Sequence, residues 1–189
     1  MISNHDRSGY IGASDTKYVV GNWKTKTFAN WWLKKQGIDT SHIDNKFTLA
    51  GTNYEHKIID FLNNKGFECI NCGTDSKESI DYPIIAEKVA KLVQNHKCDK
   101  GILICGTGIG MSITANKFKG IRCAVCYNLD TAKFAKLHNN ANIIALGASQ
   151  LNISDAIDMV DIWINTQFEG ERHEKRINMI SEIEKENMK

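Results

Sequence analysis

From residue 46 onward, short runs rich in apolar residues, unbroken at 101–104, alternate with longer stretches in which apolar positions recur every three or four residues. Unbroken runs bounded by Gly read as strands covered on both faces of a sheet, and the recurring positions read as helices with one buried stripe. Five strands are predicted, over residues 47–50, 67–71, 101–104, 122–125 and 143–146. Helices are predicted over 54–64, from Pro83 through Val93, from about Met111, over 131–137, 153–165 and 173–186. Ile58, Ile59 and Leu62 share one face of the first, and Gly66 stands just past its end. Pro83 suits a first helical position, and Ile84, Ala86, Val89, Leu92 and Val93 form one stripe behind it. This alternation predicts an α/β fold, a doubly wound parallel five-stranded sheet of Rossmann-like type with right-handed crossovers. Ligands in such sheets bind outside the carboxyl ends of the strands. Cys105, Asn128 and the Leu137-His-Asn-Asn140 corner all fall on connections, several of them at that rim.

Residues 1–45 do not share this rhythm, so the chain divides into an N-terminal extension over 1–45 and a domain over 46–189. Ser14 or Asp15 is placed to cap a helix. Residues 28–36, stopped by Gly37, read as a short amphipathic helix. Its Trp31, Trp32 and Leu33 call for apolar cover from the main domain or from a second copy of the chain. Base stacking by the tryptophans lacks a surrounding basic patch.

Composition narrows the function classes. A hydrophobic share of 42% and a charged share of 24% over 189 residues describe an ordinary globular chain. One proline and 14 glycines exclude low-complexity linkers. A net charge of +2 leaves no footprint for nucleic acid or an anionic membrane. The first residues, Met-Ile-Ser-Asn-His-Asp-Arg7, have no apolar core of a signal peptide, and no run is long enough to span a bilayer. A reducing cytoplasm is therefore expected, with six cysteines kept as thiols. Cys69-x-x-Cys72 and Cys123-x-x-Cys126 raise the question of a metal. The gap between the pairs far exceeds zinc-ribbon spacing, and each pair falls on or beside a predicted strand. They read as buried strand cysteines.

The stretch richest in chemistry is Lys100-Gly-Ile-Leu-Ile-Cys-Gly-Thr-Gly-Ile-Gly-Met-Ser112. It predicts a buried strand, a glycine turn and a helix, with Cys105 at the carboxyl end of the strand. Gly106, Gly108 and Gly110 let the backbone curl so that successive N–H groups point inward, a nest for an anion or a developing oxyanion. A cysteine in such a place is where a thiolate is stabilised. The spacing is neither the dinucleotide fingerprint nor a P-loop. On pattern alone, a tight turn with a buried cysteine fits equally well.

Asp81-Tyr-Pro83, the run from Gly101 to Lys117, Gly120-Ile-Arg-Cys-Ala124, His138-Asn139, Ala141-Asn142, Leu146-Gly147 and Phe168-Glu-Gly-Glu-Arg-His173 with Arg176 together resemble the ribose-5-phosphate isomerase B family, which includes the galactose-6-phosphate isomerase subunits. The resemblance covers about residues 54–187. It implies interconversion of an aldose phosphate and a ketose phosphate through a cis-enediolate, with no metal and no organic cofactor. It implies Cys105 as the base, Thr107 and Tyr82 beside the sugar, and the amides of Gly106, Gly108 and Gly110 around the enediolate. His138 matches the ring-opening histidine, Asn139 a substrate-binding asparagine, and Arg172 and Arg176 the phosphate ligands. These types suit the tasks: a thiolate and an imidazole exchange protons near neutral pH, and a guanidinium fork matches phosphate. The resemblance also implies homodimers, possibly tetramers, whose sites draw residues from both chains.

Three departures stand out. The family's first strand ends in Asp-His, whereas Phe47-Thr-Leu-Ala-Gly51 leads into a shorter loop without that pair, and Asn4-His5-Asp6 is not in register with it. Ser149 stands where many members carry a phosphate-binding arginine, and Asn140 where they carry aspartate. A homologue that binds a phosphorylated ligand without turning it over is the alternative. A second resemblance, of Tyr10-Ile-Gly-Ala-Ser-Asp15, Trp32-Leu33, Gly37 and Gly51-x-x-Tyr-Glu55 to the opening of YqaJ-type phage recombination exonucleases, raises a DNA-related role for the N-terminal segment. Glu55-His-Lys57 lacks the carboxylate partner that such a metal site needs, so no nuclease activity is read from it.

Overall fold

A computed structural model describes residues 46–73 and 80–188. The readings made on residues 1–45, including the capped turn, the 28–36 helix, the tryptophans and the exonuclease-like stretch as far as Gly37, lie outside the described residues, whereas Gly51 to Lys57 fall within a helix. Residues Lys46–Lys189 form one compact unit. No described helix is long and apolar enough to cross a membrane.

The order of elements is α1 (Lys46–Asn64), α2 (Tyr82–Gln94), β1 (Gly101–Cys105), α3 (Ile109–Ala115), β2 (Cys123–Cys126), α4 (Leu129–Leu137), β3 (Ile143–Gly147), α5 (Ile153–Asn165) and α6 (Glu171–Asn187). The strands form a parallel sheet in the order β1-β3-β2. β3 lies in the middle, paired with β1 from Gly101 opposite Ile143 to Cys105 opposite Gly147, and every one of its residues is buried. Successive side chains of a strand point to opposite faces. Accordingly, Ile144 and Leu146 pack with Tyr54, Ile58 and Leu62 of α1, Ala132 and Ala135 of α4, and Met159, Val160 and Trp163 of α5. Ile143 and Ala145 pack on the other face with Ala86, Val89, Ala90 and Val93 of α2 and with Met111 and Ala115 of α3.

The α/β class and the parallel sheet stand, but five strands do not: three are formed among the described residues. Residues 47–50, expected as the first strand, belong to α1. A four-residue run such as Phe47-Thr-Leu-Ala50 carries no periodicity of its own. It continues into the stripe of Tyr54, Ile58 and Leu62, and one uninterrupted helix results. Residues 67–71, expected as the second strand, belong to no helix or strand. A strand requires a neighbour for its N–H and C=O groups, and a cavity of about 450 Å³ is lined by both this segment and β1. Trp163 lines the same cavity, fully buried, with no hydrogen-bond partner for its indole N–H. Apart from the earlier start of α1, the remaining predicted elements form with ends shifted by no more than two residues.

Candidate active site

Two groups of predicted residues converge, at opposite ends of the sheet. The first is at the carboxyl end of β1. Cys105 closes the strand, and Gly108 then takes φ 79°, a left-handed conformation in which its N–H turns back to donate to the Cys105 Sγ at 3.1 Å. A Cβ at Gly108 would come within 3.1 Å of the Ala145 backbone, so glycine is required both by conformation and by space. The turn is tied to the chain after β3: the N–H of Ala148 donates to Cys105 O at 2.9 Å, and the N–H of Ser149 to Gly106 O at 3.1 Å. Ser149 Oγ also donates to Gly106 O. Thr107 is exposed, and its Oγ1 accepts from the Ile109 N–H at 3.4 Å. Helix α3 therefore starts at Ile109, two residues earlier than expected. Tyr82, 46% exposed at the start of α2, lays its ring on the bare Cα of Gly110. A Cβ at position 110 would meet that ring at 2.6 Å. Cys105, Gly106, Thr107, Gly108, Gly110 and Tyr82 thus form one cluster.

The second group lies at the amino end of β3. His138 caps the C-terminus of α4, and its ring stacks on Phe134 at 4.7 Å. Asn139 is exposed, with its carbonyl accepting from Arg122 Nε at 3.1 Å. Asn140 takes φ 45°, a conformation that asparagine tolerates better than most residues. Its carbonyl accepts from Arg122 as well, at 3.0 Å from the terminal nitrogen. Arg172 and Arg176 are exposed one turn apart on α6, so they share a face.

Two residues of this group were quoted within a motif but given no role by sequence reasoning. His173, 4% exposed, stacks on His138 with centroids 4.2 Å apart and planes 2° apart. Glu169 is anchored by its N–H to Leu137 O at 3.0 Å. Its Oε2 stands 3.5 Å from His138 Nε2 and 3.3 Å from His173 Nε2. Burial pushes the His173 imidazole below its ordinary pKa, helped by His138 and Arg172 and opposed by Glu169. The Glu-x-x-x-His spacing was visible, but only the fold brings it to His138. His138, Glu169 and His173 hold donor atoms within 4.8 Å of one another. The rings are parallel, however, so an ion equidistant from both nitrogens would lie out of both ring planes, where the lone pairs do not point.

Between the groups runs the length of the sheet. Cys105 is level with Gly147, whereas Asn142, four residues after His138, accepts from the Gly101 N–H at the other end. Four strand steps separate those levels, about 13 Å. His138 and Asn139 therefore do not lie at the carboxyl rim, because α4 runs back antiparallel to the strands. Asn128, which caps the start of α4, does lie there.

The profile of the Ribose/Galactose Isomerase family matches residues 48–180. The chain belongs to this family. This isomerase is 44% identical over 152 residues to ribose-5-phosphate isomerase B of Escherichia coli, a match covering 80% of the chain and 97% of that relative. Among solved structures, the Clostridium thermocellum ribose-5-phosphate isomerase B superposes with TM-score 0.71 and 48% identity, covering 72% of the isomerase and 93% of that chain. The Mycoplasma genitalium ribose-5-phosphate isomerase B, solved with bound ribulose-5-phosphate, superposes with TM-score 0.70 and 38% identity over 73% of the isomerase and 92% of that chain. Of the isomerase's other cysteines, Cys72, Cys123 and Cys126 are buried, whereas Cys69 and Cys98 are partly exposed like Cys105. Cys123 and Cys126 are buried on β2 as expected, and their thiols are pushed up to about 11 and about 12 by desolvation. Cys69 and Cys72 lie on the segment outside the sheet, and burial raises both.

Proposed function

We propose that this isomerase interconverts an aldose phosphate and its ketose phosphate, of the ribose 5-phosphate and ribulose 5-phosphate type, with Cys105 as the base. The observation that carries the reading is the Cys105 sulfur held under the Gly108 N–H at 3.1 Å, at the rim where ligands of parallel sheets bind. His138 opens the sugar ring by returning a proton to the ring oxygen as the C1 hydroxyl gives one up. The Cys105 thiolate then takes the proton from C2 of the open aldose. That electron pair forms the C1–C2 double bond and the carbonyl electrons move onto O1, giving a cis-enediolate. Amides of the glycine turn hold its charge. A proton passes from O2 to O1, the Cys105 thiol protonates C1, and O2 becomes the new carbonyl. No electrons are gained or lost overall, so the reaction needs no redox cofactor. Arg172 and Arg176 bind the phosphate as bidentate forks, and Asn139 and Tyr82 flank the sugar.

One chain cannot bring Cys105 and His138 to one sugar, because they stand at opposite ends of its sheet. A second copy supplies the missing half, so the working unit is a homodimer with shared sites. Exposed apolar side chains offer the surface: Ile109 and Ile113 on α3, and Met179, Ile180 and Ile183 on α6, each at least half exposed. Unpaired thiols suit a reducing cytoplasm.

A second reading has its own support. Residues 47–50 are helical, so no strand end presents an acid and a histidine there. A protein that binds a sugar phosphate without catalysis follows if that pair is indispensable. Hydrogen exchange at C2 of ribose 5-phosphate in heavy water, followed by NMR, decides between them. Exchange that disappears in Cys105→Ala supports catalysis. Ligand-induced shifts without exchange support binding alone, and exchange unchanged in Cys105→Ala removes the cysteine from the mechanism.

A further inference from the structure

The chemistry proposed above employs His138 and Arg172 and leaves unexplained the residue that touches both. His173 is nearly inaccessible, at 4% exposure, although it lies in the first turn of a largely exposed helix. Its ring covers one face of His138. Its Nε2 accepts the Nε–H of Arg172 at 3.2 Å. A ring nitrogen that accepts carries a lone pair and no proton, so this contact belongs to the neutral imidazole with its proton on Nδ1. An imidazolium presents only donors, and Arg172 would lose its partner.

We propose that His173 is a positioning residue with a pH-dependent hold on Arg172: the neutral ring accepts the Arg172 Nε–H and aims the rest of the guanidinium at the substrate's phosphate, and protonation releases it. This rests on the reading of Arg172 as a phosphate ligand. The charged and titratable groups facing His173 are Arg172 and Arg176 on its own helix, Glu169 on the preceding segment and His138 at the end of α4. Three of the four disfavour a second positive charge, and burial acts in the same direction. Glu169 alone favours it: its Oε2 stands 3.3 Å from the same His173 Nε2, which donates to it once protonated, and 3.5 Å from His138 Nε2. The ring is therefore held in the form that the Arg172 contact needs, and acidification works against that form.

Steady-state kinetics with ribose 5-phosphate on the full chain, from about pH 5.5 to about pH 8, test this. KM of the unaltered protein rises several-fold toward acid, more than kcat falls. His173→Gln keeps an acceptor that does not titrate, so its KM stays within about twofold at pH 8 and its acid rise is smaller. His173→Phe keeps a stacking ring without an acceptor, so its KM is about tenfold higher throughout, the worth of one charge-assisted hydrogen bond. The substrate's phosphate titrates in the same range for every variant, so the difference between variants carries the result. Arg172→Ala is measured alongside. If it leaves KM unchanged, the phosphate reading fails and the proposal with it. If it raises KM while His173→Gln follows the unaltered profile, the proposal alone is overturned. A KM that falls on acidification also overturns it, since His173 would then be adding charge toward phosphate. Should the variants not fold, an NMR titration of the unaltered protein decides. His173 is expected to remain neutral at the pH where an unperturbed imidazole is half protonated, and protonation at or above that pH overturns the proposal.

Discussion

Cys105 and His138 occupy opposite ends of one parallel sheet, the first level with Gly147 and the second just ahead of the level of Gly101. Their separation makes a shared site measurable. Mixing inactive Cys105→Ala with inactive His138→Ala, after unfolding and refolding together, should restore about a quarter of normal activity. Half of randomly paired dimers are mixed, and each mixed dimer carries one intact site of its two. No recovery would mean that both residues act within one chain.

Cys105→Ala should lower turnover by about a thousandfold, within the range that positioned acid–base groups contribute. Binding of ribose 5-phosphate, read by titration calorimetry, should change by less than about threefold. A comparable loss of binding would make Cys105 a structural residue of the glycine turn.

The two glycines after Cys105 should fail differently. Gly108→Ala forces a side chain into φ 79° and against the Ala145 backbone, which cannot yield, so a loss of at least about 1–2 kcal/mol is expected in denaturant titrations. Gly110→Ala meets only the far end of the Tyr82 ring, which can swing into solvent. Stability should change by less than about 1 kcal/mol, because a helical alanine offsets part of the contact. KM should rise, and pairing the change with Tyr82→Ala should show non-additive effects on KM.

The alkaline limit of stability should come in part from β2. The Cys123 and Cys126 thiols are raised from 9.0 to about 11 and about 12, so the folded state holds their protons more tightly than the unfolded chain. By linkage this stabilisation is complete below pH 9 and is lost as pH rises through 11 to 12. Melting temperatures of Cys126→Ala should show a shallower fall above pH 9 than those of the unaltered protein. At pH 8 both thiols should resist iodoacetamide, mapped by mass spectrometry, until the protein is unfolded.

The acid side has the opposite origin. His173 is held below its ordinary pKa, so the unfolded chain binds its proton more readily. Its contribution is complete above the ordinary histidine range and is lost as pH falls through and below it. His173→Gln should flatten the decline of melting temperature between about pH 7 and about pH 5.

Much of this was legible along the chain because it depends on short-range rules. Ala86, Val89 and Val93 of the α2 stripe follow from spacing and Pro83, although Ile84 is 60% exposed and Ala90 joins the buried face; the burial of β3 follows from an apolar run, and the turn at Gly108 from the need for a residue that tolerates positive φ. Candidate site residues were legible as motifs for the same reason, since Cys105 to Gly110 and Arg172 with Arg176 are each contiguous or one turn apart. What tertiary structure decided depends on partners distant in sequence. Residues 47–50 and 67–71 have strand-like composition, but a strand exists only where another backbone completes its hydrogen bonds, and local pattern does not reveal that. The division of the candidate site between two ends of the sheet follows from the antiparallel return of α4. The stacking of His173 on His138 follows from α6 starting beside the end of α4, a contact between segments some 35 residues apart that no periodicity encodes.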